Sequence, residues 1–248
     1  MPIKRILGAT DGSVCGEHAV AVGRELARSA DGEFLRFASD SFTGSEAERD
    51  TATQVKRTVL GVEIVRQAES WGADVVVLGR QMRPLGQPQA LGPTTDAVIR
   101  RRSGLSLFVP PNIQAIRQAT IAVDGTLRGL GVVPSTAAFL NLTGARASAV
   151  CVLPGTEAEA TESSGWRDPR SEWTRALVGR LPLNSGPCEL LLRWGNPVAE
   201  ILRVLLGTGA DLLVLGVRRG GRPGDLGSGH VGRELLESAP CAVLTVPI

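Results

Sequence analysis

Two aspartates stand where a carboxylate could do recognition chemistry. Asp11 follows a short apolar run in ATDG (9–12), and Asp124 follows another in AVDG (122–125). At the carboxyl end of a strand, such a group can accept hydrogen bonds from a ribose hydroxyl or an adenine amino group. The plainer alternative is an acidic residue opening a helix, where it complements the dipole. Recurrence alone does not separate these readings, because a repeated fold repeats its caps. Two glycine-bearing stretches come next. One runs from Gly79 to Gly92, Thr94 and Thr95. The other runs from Gly216 through Arg219 and Gly220 to Gly229, His230 and Val231. Each carries arginines and leads into an expected helix, whose free N–H groups and dipole favour an anion. The chemistry would be a phosphate cradle. The competing reading is a surface loop in which Thr94, Thr95 or Ser228 merely caps the helix. Neither stretch ends in the Gly-Lys-Ser/Thr of a P-loop.

Other chemistry finds less support. Gly227 to Gly232 fits the dinucleotide spacing GxGxxG, but it follows a long loop near the chain end instead of a first strand. No GxSxG elbow occurs. His230 has no nucleophile or orienting partner nearby in sequence, and His18 falls within an expected helix. Arg100, Arg101 and Arg102 suit a helix C-terminus better than a nucleic-acid patch, since no aromatics are interleaved. The cysteines at 15, 151, 188 and 241 form no CxxC pair and show no metal spacing. They read as small buried residues in a reducing compartment.

These residues must be positioned by something that recurs. ADVVVLG at 73–79 reappears as ADLLVLG at 210–216, an offset of 137 residues. Gly92 and Gly229 share that offset, as do Val109-Pro110 and Val246-Pro247. The two aspartates are offset by 113, so the first copy is 24 residues shorter ahead of its ADVVVLG run. The boundary falls in the proline-marked stretch 110–117, giving expected domains 1–113 and 114–248. The runs VVVL and LLVL are continuously apolar, which suits parallel strands covered on both faces. Strand and helix signals alternate, so the fold class is α/β with two doubly wound parallel sheets. In the first copy, strands are expected at 6–9, 33–38, 54–60, 74–78 and 105–109, with helices at 14–30, 62–71 and 95–102. Residues 40–51 read as loop. The second copy adds a helix at 172–179 that the first lacks. Ser13 and Asn196 are expected N-caps, the latter with Pro197 at the first helical position.

The bulk numbers exclude several classes. A net charge of +2 and 4% aromatic residues, with no tyrosine, argue against nucleic-acid binding. No apolar run approaches the ~20 residues of a membrane span. The amino-terminal residues enter a strand with no apolar leader core, so a cytoplasmic location is expected.

The order strand, ATDGS, helix, ADVVVLG, glycine loop, helix and a last strand ending in Val-Pro resembles the universal stress protein family in tandem form. SAPCAVLTVP at 238–247 is especially similar to that family's closing strand. The resemblance implies five parallel strands per copy, with the two last strands paired into an intrachain pseudo-dimer that can dimerise further. Many members bind ATP through Gly-x2-Gly-x9-Gly-Ser/Thr. The matching positions here are Gly79, Met82, Gly92 and Pro93 in the first copy, and Gly216, Arg219, Gly229 and His230 in the second. The expectation is therefore a stress-response regulator holding ATP or AMP, with or without magnesium, in at least one copy, the second being favoured. It would act on a regulatory protein partner. The alternative is a nucleotide-free scaffold. A slow nucleotide hydrolase has the least residue support, so no catalytic residue and no metal ligand is assigned.

Overall fold

Parallel pairing joins the apolar runs into one sheet. In the computed structural model, the described residues are 2–38, 51–81, 91–126, 132–155, 169–218 and 229–248. The strands are β1 (Arg5–Thr10), β2 (Glu33–Ala38), β3 (Val75–Gly79), β4 (Leu105–Val109), β5 (Gln118–Val123), β6 (Arg146–Leu153), β7 (Glu189–Trp194), β8 (Leu212–Val217) and β9 (Ala242–Pro247). The helices are α1 (Val14–Ser29), α2 (Thr51–Trp71), α3 (Pro93–Arg101), α4 (Val132–Thr143), α5 (Pro169–Val178), α6 (Pro197–Thr208) and α7 (Gly229–Ser238). The strand order is β2-β1-β3-β4-β9-β8-β5-β6-β7. Every neighbouring pair is parallel except β4 and β9, which run antiparallel with Leu107 opposite Leu244. The expected pairing of the two last strands is therefore present, and it fuses the two halves.

The internal repeat survives in the registers. Ile6 lies beside Val75 in the first half, and Ala119 beside Leu212 in the second. Val75 lies beside Leu105, and Leu212 beside Ala242. A second shared device sits at the opposite end. Asp74 Oδ2 accepts from the backbone N–H groups of Lys4 and Arg5 at 2.7 and 2.8 Å. Asp211 Oδ2 does the same for Arg117 and Gln118 at 2.9 and 3.1 Å. The aspartate of each ADxxVLG run thus staples the start of its neighbouring strand.

Helices cover both faces. α1, α4 and the linker residues Ile113 and Ile116 pack on one side, around Phe139 and Leu140. α2, α3, α6 and α7 pack on the other, around Phe108 and Val243. Ser13 caps α1, its side chain accepting from Gly16 N–H. Asn196 caps α6 through Ala199 N–H, with Pro197 at the first position. His18, set aside on sequence, joins α1 to the linker through Nε2 and the Ile113 carbonyl at 2.8 Å.

Two expectations are corrected. Residues 54–60 are not a strand but part of the 21-residue α2. Their β-branched residues imitate a strand, yet Leu60, Ile64, Val65 and Ala68 bury at helical spacing. The first half also has four described strands, not five. Between β6 and α6 the second half inserts α5 and β7; between β2 and α2 the first half has only residues 39–50, which lie outside the described residues. Among the described strands, β2 is the edge of the sheet in the first half and β7 the edge in the second.

Candidate functional site

The strand order reverses direction of growth between β1 and β3, and again between β5 and β8. Such switch points open crevices beyond the carboxyl ends of parallel strands. At the second, a cleft of about 360 Å³ is lined by Ala122, Val123 and Asp124 from the end of β5. Leu215, Gly216 and Arg218 come from the end of β8, and Val231, Gly232 and Leu235 from α7. Pro197 and Ile201 of α6 add a further wall. The volume lies at the low end of small-molecule sites. Most of its walls are apolar, and Asp124 and Arg218 supply opposite charges.

The cleft joins Asp124, Gly216 and Val231, three residues singled out on sequence. Asp124 Oδ1 accepts from the backbone N–H and hydroxyl of Thr126, at 2.9 and 2.7 Å. Gly125 between them has φ of +70°, which a glycine adopts without strain. Both bonds fall on one oxygen, so Oδ2 stays outside the turn. Gly216 permits close approach: a Cβ there would stand 2.6 Å from Val132 Cγ2 and 3.2 Å from Ile248 Cδ1. Gly229 and His230 open α7. Arg219 and Gly220 lie outside the described residues, as does Ser228. Arg218, which lines the cleft, was missed; its place beside Arg219 in an arginine-bearing loop is the signal that could have found it.

The first half repeats the turn with different neighbours among the described residues. Asp11 Oδ1 accepts from Ser13 N–H at 3.0 Å and from its hydroxyl at 2.6 Å, with Gly12 at φ +80°. Gly79 is needed for packing: a Cβ would lie 2.4 Å from the backbone of Cys15. Gly92 is the N-cap of α3, exposed and offering no side-chain cap, and Pro93 follows at the first position. Thr94 opens α3 beside Gly92 and Pro93. Its hydroxyl donates to the Arg57 carbonyl of α2 at 2.9 Å, tying two helices together. Thr95 lies in the first turn of α3, half-buried. At the end of β1, Thr10 Oγ1 donates to Glu17 Oε1 at 2.9 Å and Arg36 Nη2 donates to the same oxygen at 2.8 Å. These bonds, Thr10 first, hold the Glu17 carboxyl below its ordinary 4.5. The register places Val123 and Ala149 where the first half has Thr10 and Arg36.

Of the three arginines at the end of α3, Arg100 pairs with Asp96 through Nε at 2.8 Å. Arg101 lies in the last turn, as expected. Arg102 departs from the expected helix-terminal role: it is buried and donates to the Ala73 carbonyl. Among the described residues, no group of three or more His, Cys, Asp or Glu could hold a metal ion. No helix there is long and apolar enough to cross a membrane.

Residues 116–247 match the universal stress protein family. That span is more than half of the chain and contains every residue lining the second-half cleft except Ile248. The chain belongs to the universal stress protein family. A relative in Thermus aquaticus, the "universal stress protein in QAH/OAS sulfhydrylase 3'region", is 40% identical over 78 residues. That match covers 31% of this chain and 56% of the relative, so the chain spans little more than half of the relative's length. Among solved structures, a universal stress protein from Archaeoglobus fulgidus DSM 4304 is similar with a TM-score of 0.69. It is 13% identical, with 98% of each chain covered. A protein of the same family description from Pseudomonas aeruginosa UCBPP-PA14 has a TM-score of 0.63 and 15% identity, covering 99% of this chain and 93% of its own. At these identities the universal stress protein structures establish the shared fold.

Proposed function

We propose that this universal stress protein is a regulator that binds an adenine nucleotide at the switch point between β5 and β8. Residues 1–113 and 114–248 are then two copies of the family unit, the first shortened. The observation that carries the reading is the convergence of Asp124, Gly216, Arg218 and the start of α7 on one largely apolar cleft. Apolar walls suit an adenine ring, Asp124 Oδ2 can accept from an amino or ribose group, and Arg218 with the α7 N-terminus suits a phosphate. The nucleotide is ATP or AMP, with or without magnesium, and its presence changes how the protein meets a regulatory partner. Three of the four thiols are buried, consistent with work in the reducing cytoplasm.

The test is a thermal-shift titration of nucleotide-free protein with ATP and AMP, with and without magnesium. Ligand at about 100 times its Kd should stabilise by about 2.7 kcal/mol. Asp124→Ala and Arg218→Ala should each weaken binding by about tenfold or more, at ~1.4 kcal/mol per tenfold. Asp11→Ala should leave it unchanged. No shift at millimolar nucleotide would sink the reading and favour a nucleotide-free scaffold. That second reading has its own support in Gly79, whose glycine character is spent on packing against Cys15.

A further inference from the structure

α7 supplies Val231 and Gly232 to the cleft wall. What holds its opposite end comes from the other half of the molecule. Arg80, the residue after β3, is only 7% exposed. Its Nη1 donates to the Leu236 carbonyl at 2.7 Å. Its Nη2 donates to the carbonyls of Ala239 and Cys241, the latter at 2.9 Å. These three acceptors lie at the C-terminal end of α7 and in the turn into β9. There the helix leaves carbonyls unpaired and its dipole is negative, so a cation is favoured. A planar guanidinium fork can serve several such oxygens at once, and it stays charged even where burial lowers its pKa. A second tie lies beside the first. Leu91 N–H donates to Glu237 Oε1 at 3.1 Å, and Arg233 Nε donates to that oxygen at 2.9 Å.

At Arg80 the repeat is broken. The repeat places Val217 where the first half has Arg80, and Val217 is buried in apolar surroundings. Arg102, at the end of α3, spends its Nη2 on Ala73 within its own half. The first half therefore grips α7 through a residue whose counterpart in the repeat, Val217, carries no guanidinium.

We propose that Arg80, assisted by Glu237, is a positioning residue through which the first half sets α7 and thereby the ligand affinity of the second-half cleft. This rests on the nucleotide reading of that cleft. One helix of 10 residues, ~15 Å long, lines the cleft with Val231, Gly232 and Leu235 and meets Arg80 from Leu236 onward. A rigid element that meets both couples them, and the coupling is reciprocal. Nucleotide in the second-half cleft then tightens the first-half segment around Leu91.

The experiment uses the full chain, with hydrogen exchange followed by mass spectrometry and AMP and ATP titrated as ligands. Arg80→Met should speed amide exchange in residues 232–238 by about tenfold or more, with β5 and β6 unchanged. It should weaken nucleotide binding by about tenfold, within the usual range of coupling between sites. Arg80→Lys should recover part of both effects. Glu237→Ala, on a partly exposed side chain, should shift them the same way by less, and it guards against misfolding of the Arg80 variant. In wild-type protein, nucleotide should slow exchange around residues 91–98; in Arg80→Met it should not. An Arg80→Met protein that is folded and less stable, yet binds nucleotide with unchanged affinity, overturns the proposal by reducing Arg80 to a structural residue. Unchanged α7 exchange in both variants overturns it as well. If the wild type binds neither nucleotide, the reading of the cleft fails by itself; the exchange pattern in α7 then decides the Arg80 assignment alone.

Discussion

The two halves of the sheet use the same turn after their first strands and differ in what surrounds it. Asp11 and Asp124 each accept from the backbone and hydroxyl two residues later. Because both halves keep this geometry, the aspartate turn is first a device of the fold. What distinguishes the halves lies at positions that do not repeat. Arg218 replaces Gln81, Val123 replaces Thr10, and Ala149 replaces Arg36. In the first half, Thr10, Glu17 and Arg36 satisfy one another at the strand ends. In the second, apolar residues leave a cleft with two opposite charges. In the second half the repeated Asp124 and Gly216 thus line the cleft beside residues that do not repeat, Val123 and Arg218. A shared fold leaves function to such local substitutions.

The sharpest test of that contrast is a pair of glycines. Gly79→Ala forces a methyl group to within 2.4 Å of the Cys15 backbone, which cannot move aside alone. It should cost about 3 kcal/mol in urea unfolding, the upper end of overpacking. Gly216→Ala meets side-chain atoms of Val132 and Ile248, which can shift. It should cost about 1 kcal/mol while narrowing the cleft and weakening nucleotide binding. Equal costs would break the claim that one glycine serves packing and the other the cleft.

Thiol labelling separates the halves in a second way. Burial pushes the Cys188 thiol up to about 11 and the Cys241 thiol up to about 12. Cys151 is also buried, whereas Cys15 in the first half is half-exposed. Iodoacetamide at pH 8 should modify Cys15 in native protein and reach the other three on unfolding, because the thiolate is the reactive form. Early modification of Cys188 or Cys241 would count against the described core of the second half.

The smallest expected effect is on the acid side. Glu17 titrates below its ordinary 4.5 in the folded state, through Thr10 and then Arg36. Its contribution to stability is therefore complete above that value, and it is lost as pH falls through the lower folded value. Glu17→Gln should flatten the fall in stability below pH 4.5 and leave neutral behaviour almost unchanged, as expected of a half-exposed pair. An unaltered acid profile would show that the first-half cluster contributes nothing measurable.

Local pattern made much of this legible. The 137-residue and 113-residue offsets reappear as matched strand registers. Ser13 and Asn196 cap the helices they were expected to cap. Such features depend on neighbours within a few positions, where side-chain type and backbone periodicity act directly. The stretch 54–60 failed because β-branched residues carry a strand preference that helix packing overrode. The stapling role of Asp74 and Asp211 stood inside the repeated motif, yet a strand pattern does not reveal which amides a carboxylate will meet.

By itself, the sequence determined the alternation of strands and helices, the repeat, and the boundary near residue 113 as an expectation. Tertiary structure alone decided that the Thr94 hydroxyl bonds α2 and that Arg218 enters the cleft. It also decided that Arg80 reaches carbonyls 156 to 161 residues away. The reason is physical. Turns and periodic burial are written in adjacent residues, while a hydrogen bond between distant groups exists only once the sheet has brought its two halves together.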